Sequence, residues 1–343
     1  MCLLIAEKEL DTVARKAGLL DGFEGNAQTF RILTQLEPYK PDFLGLNLTR
    51  ATLDATLKYP WFREIDEDNK PKNTKKGRKF SVYKLDQEVF KFVRPKEEYR
   101  QSGKQSLEAS VMEFADDITY SVHDFEDFYL AGLIPLNILL QTPNVLDNFI
   151  QDWINSIKND NEQLKLELEK PEEKKRLKDF LASYLPPEYA PRSINEITYV
   201  RANSSLLIQK YLQSASIGES YGEHGYLQRA FYEEIELKLL QRIVWKYVIT
   251  NPRLATQQYG QRKIIRKLFD IYKEAITNKQ NNLIPSRFLQ DGSLPEILEE
   301  GDENEKKLRL AVDIVASLSE SEAVLMYRRL TGLEQGSIMD YIG

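Results

Sequence analysis

The chain has 343 residues, with 47 Lys plus Arg against 53 Asp plus Glu and a formal net charge of −6. Its two histidines, His123 and His224, and its single cysteine, Cys2, are too few for a structural zinc site or an intrachain disulfide. No apolar run approaches the roughly 18 residues of a membrane helix, the N-terminus lacks the basic region of a signal peptide, and the acidic total disfavours bulk nucleic-acid binding, so a cytoplasmic protein of one or two domains is expected.

Taken in chain order, apolar residues at helical spacing predict helices over 27–36, 49–58, 106–131, 134–140, 145–157, 194–215, 227–249, 263–276, 306–317 and 320–331. The stretch from Leu227 shows the pattern best, with Phe231, Ile235, Leu239, Ile243 and Tyr247 recurring every fourth residue. Residues 79–83 are the only fair strand candidate, so the fold class expected is all-α. Residues 66–78 hold Pro71, Gly77, Lys70, Lys72, Lys75, Lys76 and Arg78 and are expected to form a mobile basic loop. Residues 159–178 read as a solvated Glu/Lys-rich helix or pair of helices. A division into an N-terminal site region, 1–158, and a C-terminal helical region, 159–343, is expected.

The segment 108–127 carries the most chemistry. On a helix turning about 100° per residue, Asp116, Tyr120, His123 and Asp124 share one sector. Two acids, a phenol and an imidazole on one side are either a site or a solvated acidic face with Tyr120 at its margin. The pattern alone leaves both open.

Four words in register add to this: Gly22-Phe23-Glu24-Gly25-Asn26-Ala27-Gln28-Thr29-Phe30-Arg31, Leu46-Asn47-Leu48-Thr49, Leu57-Lys58-Tyr59-Pro60-Trp61 and Ala115-Asp116-Asp117-Ile118-Thr119-Tyr120-Ser121. Together with Tyr327-Arg328-Arg329-Leu330-Thr331-Gly332 they resemble the deoxyguanosinetriphosphate triphosphohydrolase family of the HD-domain superfamily, over most of the chain. The resemblance implies an HD-domain-like helical bundle with additional C-terminal helices. It also implies hydrolysis of a deoxynucleoside triphosphate to deoxynucleoside and triphosphate by water activated on a divalent metal, Mg, Mn or Fe. Asp116 then matches a metal ligand. Tyr120 and Asp124 match positions that read the deoxyribose, and Lys58, Tyr59 and Lys79 match positions that meet the triphosphate. A homo-oligomer, hexameric in the family, and a basic effector or subunit patch at Arg262, Lys263 and Arg266 are further implications.

One departure is concrete. The family's first metal-binding His, its His-Asp pair and a His-x-x-Glu element precede the Gly-Phe-Glu-Gly-Asn word, whereas the 21 residues before Gly22 contain no histidine. Glu7 is either the glutamate of that element, with Leu4 where its histidine belongs, or an exposed helix charge. One carboxylate does not hold such a metal tightly. The expectation is an inactive chain with no catalytic residue retained, either a truncated form or a non-catalytic nucleotide-binding, oligomerisation or scaffold protein. Of the remaining candidates, His123 either contacts phosphate or orients Asp124, and His224 lies in a glycine-flanked surface turn. Asn26 and Gln28 brace the first site helix, and Arg31 and Arg50 contact phosphate or pair with acids.

Overall fold

The computed structural model describes residues 2–37, 39–40, 43–157, 162–184, 193–221, 224–249, 251–290, 292–294 and 303–334. Contacts divide the chain into two compact units, Met1–Ala109 with Ala255–Gly343, and Ser110–Leu254. The division expected after residue 158 falls within the second of these. The fold is all-α. The first unit opens with α1 (Cys2–Lys16), α2 (Gly25–Arg31), α3 (Arg50–Ala55), α4 (Lys75–Arg78), α5 (Gln87–Val93) and α6 (Glu97–Ser102). Then come α7 (Leu107–Leu130), α8 (Leu136–Gln141), α9 (Val145–Ser156), α10 (Glu162–Glu169), α11 (Pro171–Tyr184) and α12 (Ile194–Gln213). A hairpin of β1 (Ala215–Tyr221) and β2 (His224–Arg229) leads to α13 (Phe231–Val244), and α14 (Pro252–Thr277), α15 (Glu303–Ala316) and α16 (Glu320–Leu330) complete the first unit.

In the second unit α7 turns Phe114, Ile118, Val122, Phe125 and Tyr129 into the core, at spacings of three and four. They share it with Phe149, Ile150 and Trp153 of α9 and Ile235, Leu239 and Ile243 of α13. Each such side chain contributes about 1.5–3 kcal/mol of burial, which fixes the helix and therefore its outer face. In the first unit α15 is buried along Leu308–Val315, against Leu10 and Ala14 of α1 and Leu268, Phe269 and Tyr272 of α14. Two charges are carried inside with it, and both are paired. Arg309 meets Asp21 at 2.5 Å and lies 3.4 Å over the Tyr83 ring, while Asp313 accepts from Arg31 Nε at 2.9 Å and Gln28 Nε2 at 2.9 Å. Gly22, at φ 55°, turns the chain between α1 and α2 where a β-carbon would meet Asp11, Arg15 and Arg63.

Several expectations are corrected. Residues 79–83 form no strand: Phe80, Ser81, Val82 and Tyr83 are all buried, without the alternation of a sheet, and Val82 makes only an isolated bridge to Phe62. The basic segment 66–78 has its own structure, an Ile65–Pro71 bridge and the turn of α4, which Thr74 caps through Gly77 N. Residues 162–184 are more than solvated helix, since Leu164, Leu168, Leu177 and Leu181 are buried on one side of α10 and α11. The helix expected from Leu227 starts at Phe231, because residues 224–229 pair with β1 in register Ile217–Leu227 and Ala215–Arg229. His224 therefore opens β2 opposite Tyr221. Gly222 and Glu223, the turn assigned to it, lie outside the described residues.

Candidate functional site

In the second unit, the side of α7 away from the core carries the predicted quartet. Asp116 and Asp124 are half-buried, His123 is exposed, and Tyr120 is 54% exposed. The helix is anchored next to this face by Arg229 of β2, whose Nη1 lies 2.7 Å from Asp117 Oδ2 and whose guanidinium lies 4.8 Å over the Phe114 ring. Gln241 of α13 donates to Ser121 Oγ at 2.9 Å, and Ser121 in turn donates to the Asp117 carbonyl at 2.6 Å. Burial pushes the Asp124 carboxyl above its ordinary value, the charge of Asp127 adds to the effect, and His123 opposes it. The face thus presents a phenol flanked by two acids, one of which holds its proton more readily than an exposed aspartate.

In the first unit, the Gly-Phe-Glu-Gly-Asn word builds the start of α2. Glu24 caps the helix, accepting from Asn26 N at 2.6 Å, Ala27 N at 3.3 Å and Asn26 Nδ2 at 3.0 Å. The same carboxylate receives Lys79 Nζ at 2.8 Å. Lys79 is tied to the Lys58-Tyr59-Pro60-Trp61 word by Trp61 Nε1, which donates to its carbonyl at 2.7 Å, and by Tyr59 N, which donates to Ser81 Oγ at 2.9 Å. Lys58 Nζ and Lys75 Nζ lie 5.9 and 5.2 Å from the Tyr59 ring centre, and Lys76 Nζ lies 5.4 Å from that of Trp61. Lys58, Tyr59 and Lys79 are therefore neighbours, as the sequence words suggest, and two lysines of the basic segment join them.

Glu7 of α1 comes to the same helix start. A β-carbon on Gly25 would collide with its Oε1, so the glycine makes room for the carboxyl. Burial raises the Glu7 carboxyl above its ordinary value; Lys79 opposes this and Glu24 adds to it. Gln28 and Arg31 turn elsewhere. Gln28 is used by Asp313 and by Tyr83, whose hydroxyl donates to Gln28 Oε1 at 3.3 Å, and Arg31 bridges Asp313 and Asp86, the latter at 2.7 Å. Between phosphate contact and acid pairing, the structure gives Arg31 the acids. Arg266 likewise pairs with Glu9. The motifs did not single out Glu24, Tyr83, Asp313 or Arg309. The one available signal was that Glu24 sits inside a recognised word.

A divalent metal would need further ligands beside Asp116. Among the described residues no group of three or more His, Cys, Asp or Glu side chains is placed to hold one. His123 follows Asp116 on the same helix, and the chain's one other histidine is His224. Among the described residues, none is placed with Asp116 to complete the ligand set that the resemblance implies.

Comparison with known proteins bears on both units. Residues 231–329 match a phosphohydrolase-associated domain. A deoxyguanosinetriphosphate triphosphohydrolase-like protein of Corynebacterium efficiens is 32% identical over 341 residues, covering 95% of this chain and 73% of that protein. One of Bifidobacterium longum is 32% identical over 330 residues, 91% of this chain and 64% of that protein, and one of Streptomyces coelicolor is 30% identical over 341, 95% and 73%. With the register of its sequence words and its all-α fold, the chain belongs to the deoxyguanosinetriphosphate triphosphohydrolase-like family.

Proposed function

We propose that this chain recognises deoxynucleoside triphosphates, reading the deoxyribose with the outer face of α7 in the second unit; the lysines around Tyr59 and Trp61 in the first unit are proposed, by themselves, as groups suited to a triphosphate. In this reading the Tyr120 ring occupies the space that a 2′-hydroxyl would need. Asp124 accepts a hydrogen bond from the 3′-hydroxyl, and Lys58 and Lys79 supply ammonium groups to a compact polyanion, Lys79 exchanging Glu24 for phosphate. The observation that carries the proposal is the α7 face, on which Asp116, Tyr120 and Asp124 recur every fourth residue while the opposite side is locked in the core.

The family's reaction releases triphosphate with the help of a divalent metal. Of the ligands for that metal Asp116 is the one the sequence words match, and among the described residues no group of three or more His, Cys, Asp or Glu is placed to hold it. The chain is therefore proposed to bind nucleotide without turning it over. The same reading takes it to be cytoplasmic and self-associating, as the family resemblance implies.

The test is calorimetric titration of the full chain with dGTP, with a parallel assay for released triphosphate. Saturable binding, weakened about tenfold or more by Asp124→Asn through loss of a hydrogen bond to a charged group, is expected, with no triphosphate released. Absence of binding at millimolar dGTP would favour a helical scaffold instead. Turnover that Asp116→Ala abolishes would show that the chain is an enzyme as it stands.

A further inference from the structure

Within the first unit lies a cavity of about 310 Å³, walled by α1, the start of α2, α14, the end of α15 and the start of α16. Its surface is mainly aliphatic, with Leu10, Ile32, Ile264, Val315, Leu318 and Ala323 among its walls. The volume is at the small end of the roughly 300–1,000 Å³ typical of sites for small organic ligands. Nearly every polar group on its wall is already used within the fold. Gln28 is held by Asp313 and Tyr83, and the Thr29 hydroxyl donates to the Gly25 carbonyl at 3.0 Å. Ser319 caps α16, and Glu320 accepts from Gln261 at 3.0 Å.

Glu7 is the exception. Among the described residues it has neither a hydrogen bond nor an ion pair; Lys79, committed to Glu24, and Lys8 act on it only at longer range. Among the described residues, the charged ones lining the cavity are Glu7 and Glu320, both acidic, and no Lys, Arg or His lines it. An apolar chamber with one unpaired carboxylate and no cation of its own is complementary to a ligand with an apolar body and one positive charge.

We propose that this cavity is a binding site for a compact apolar molecule bearing a single protonated amine, with its ammonium group on Glu7. The site adjoins, through Glu7, the Glu24–Lys79 pair of the nucleotide reading, but shares no residue with the α7 face. Its carboxylate replaces the ammonium's lost hydration, and the aliphatic walls take the body of the ligand. Burial that raises the Glu7 carboxyl in the free protein is offset when the ammonium arrives, so binding draws the carboxyl back to the ionised form.

The experiment titrates the full chain with 2-phenylethylamine and, separately, with 2-phenylethanol, which has the same carbon skeleton and no charge. Saturable binding of one amine per chain is expected, about tenfold or more tighter than the alcohol, as a charge-assisted hydrogen bond provides. Glu7→Gln should reduce the amine to the level of the alcohol. Equal binding of amine and alcohol, binding of neither, or amine binding that survives Glu7→Gln would overturn the proposal. If Glu7→Gln does not fold, methyl NMR of the unsubstituted chain decides. Amine-induced shifts centred on Ile32, Ile264 and Val315 support the site, and shifts elsewhere or none refute it. A dGTP titration of the same preparation reports on the α7 face independently, so failure of either site leaves the other judged on its own data.

Discussion

Residues separated by long stretches of chain set the local chemistry. Arg309 and Asp21, 288 positions apart, form a buried ion pair that also serves Lys84 N through the second Asp21 oxygen, at 2.9 Å. Removing one partner leaves the other buried without its counter-ion. Arg309→Met should therefore destabilise the protein by about 3–5 kcal/mol, and adding Asp21→Asn should recover part of the loss, both read from urea denaturation midpoints. Glu7 makes a prediction with a defined sign. Its carboxyl is raised by burial above the ordinary 4.5, so the folded state holds this proton more tightly than the unfolded chain does. The stability it contributes is complete below 4.5 and is lost as pH rises through the folded-state value, and Glu7→Gln should flatten that decline. Glu24→Gln removes a neighbouring negative charge and releases Lys79 from its pair. Both changes lower the Glu7 titration midpoint, which carboxyl NMR can follow. At this scale the sequence spoke clearly where functional groups share one helix, as Asp116, Tyr120 and Asp124 do. It was silent on Glu24–Lys79 and Asp21–Arg309, because pairs 55 and 288 residues apart leave no periodic trace.

Among the elements, the helices were legible because burial against a core imposes a spacing of three to four residues, and α7 and α13 show it without interruption. The hairpin was not. Leu227 continues the fourfold spacing of Phe231 and Ile235 backwards, so the pattern runs past the true start of α13 into β2. The Glu/Lys-rich helices misled in the other direction, their many charges masking the four leucines that α10 and α11 bury. Helix starts were signalled more locally. Ser193 and Ser319 each complete a reciprocal capping box, with Glu196 and Glu322. Ser319→Ala should cost about 1 kcal/mol in chemical denaturation. The conservative Ser319→Thr, which keeps the hydroxyl, should cost much less. Equal losses from the two would show that the cap is not what holds α16.

For the whole molecule, family membership and donor chemistry pull in different directions, and both follow from the same composition. The chain carries the words of a triphosphohydrolase-like protein across its length, yet among the described residues no group of three or more His, Cys, Asp or Glu side chains is placed to hold a metal. Recognition and turnover are separable, because binding a nucleotide does not require the metal that cleaves it. In the proposed reading, sugar recognition rests on a tyrosine and an aspartate on the outer face of α7. The claim most exposed to test is that Tyr120 selects deoxyribose. Calorimetric titration of the chain and of Tyr120→Ala with dGTP and with GTP measures it directly. The account predicts that the unsubstituted chain prefers dGTP by about tenfold or more, as a steric clash with a 2′-hydroxyl would impose, and that Tyr120→Ala erases the preference while still binding both nucleotides. Equal affinity of the unsubstituted chain for dGTP and GTP, or a preference that persists in Tyr120→Ala, would contradict it.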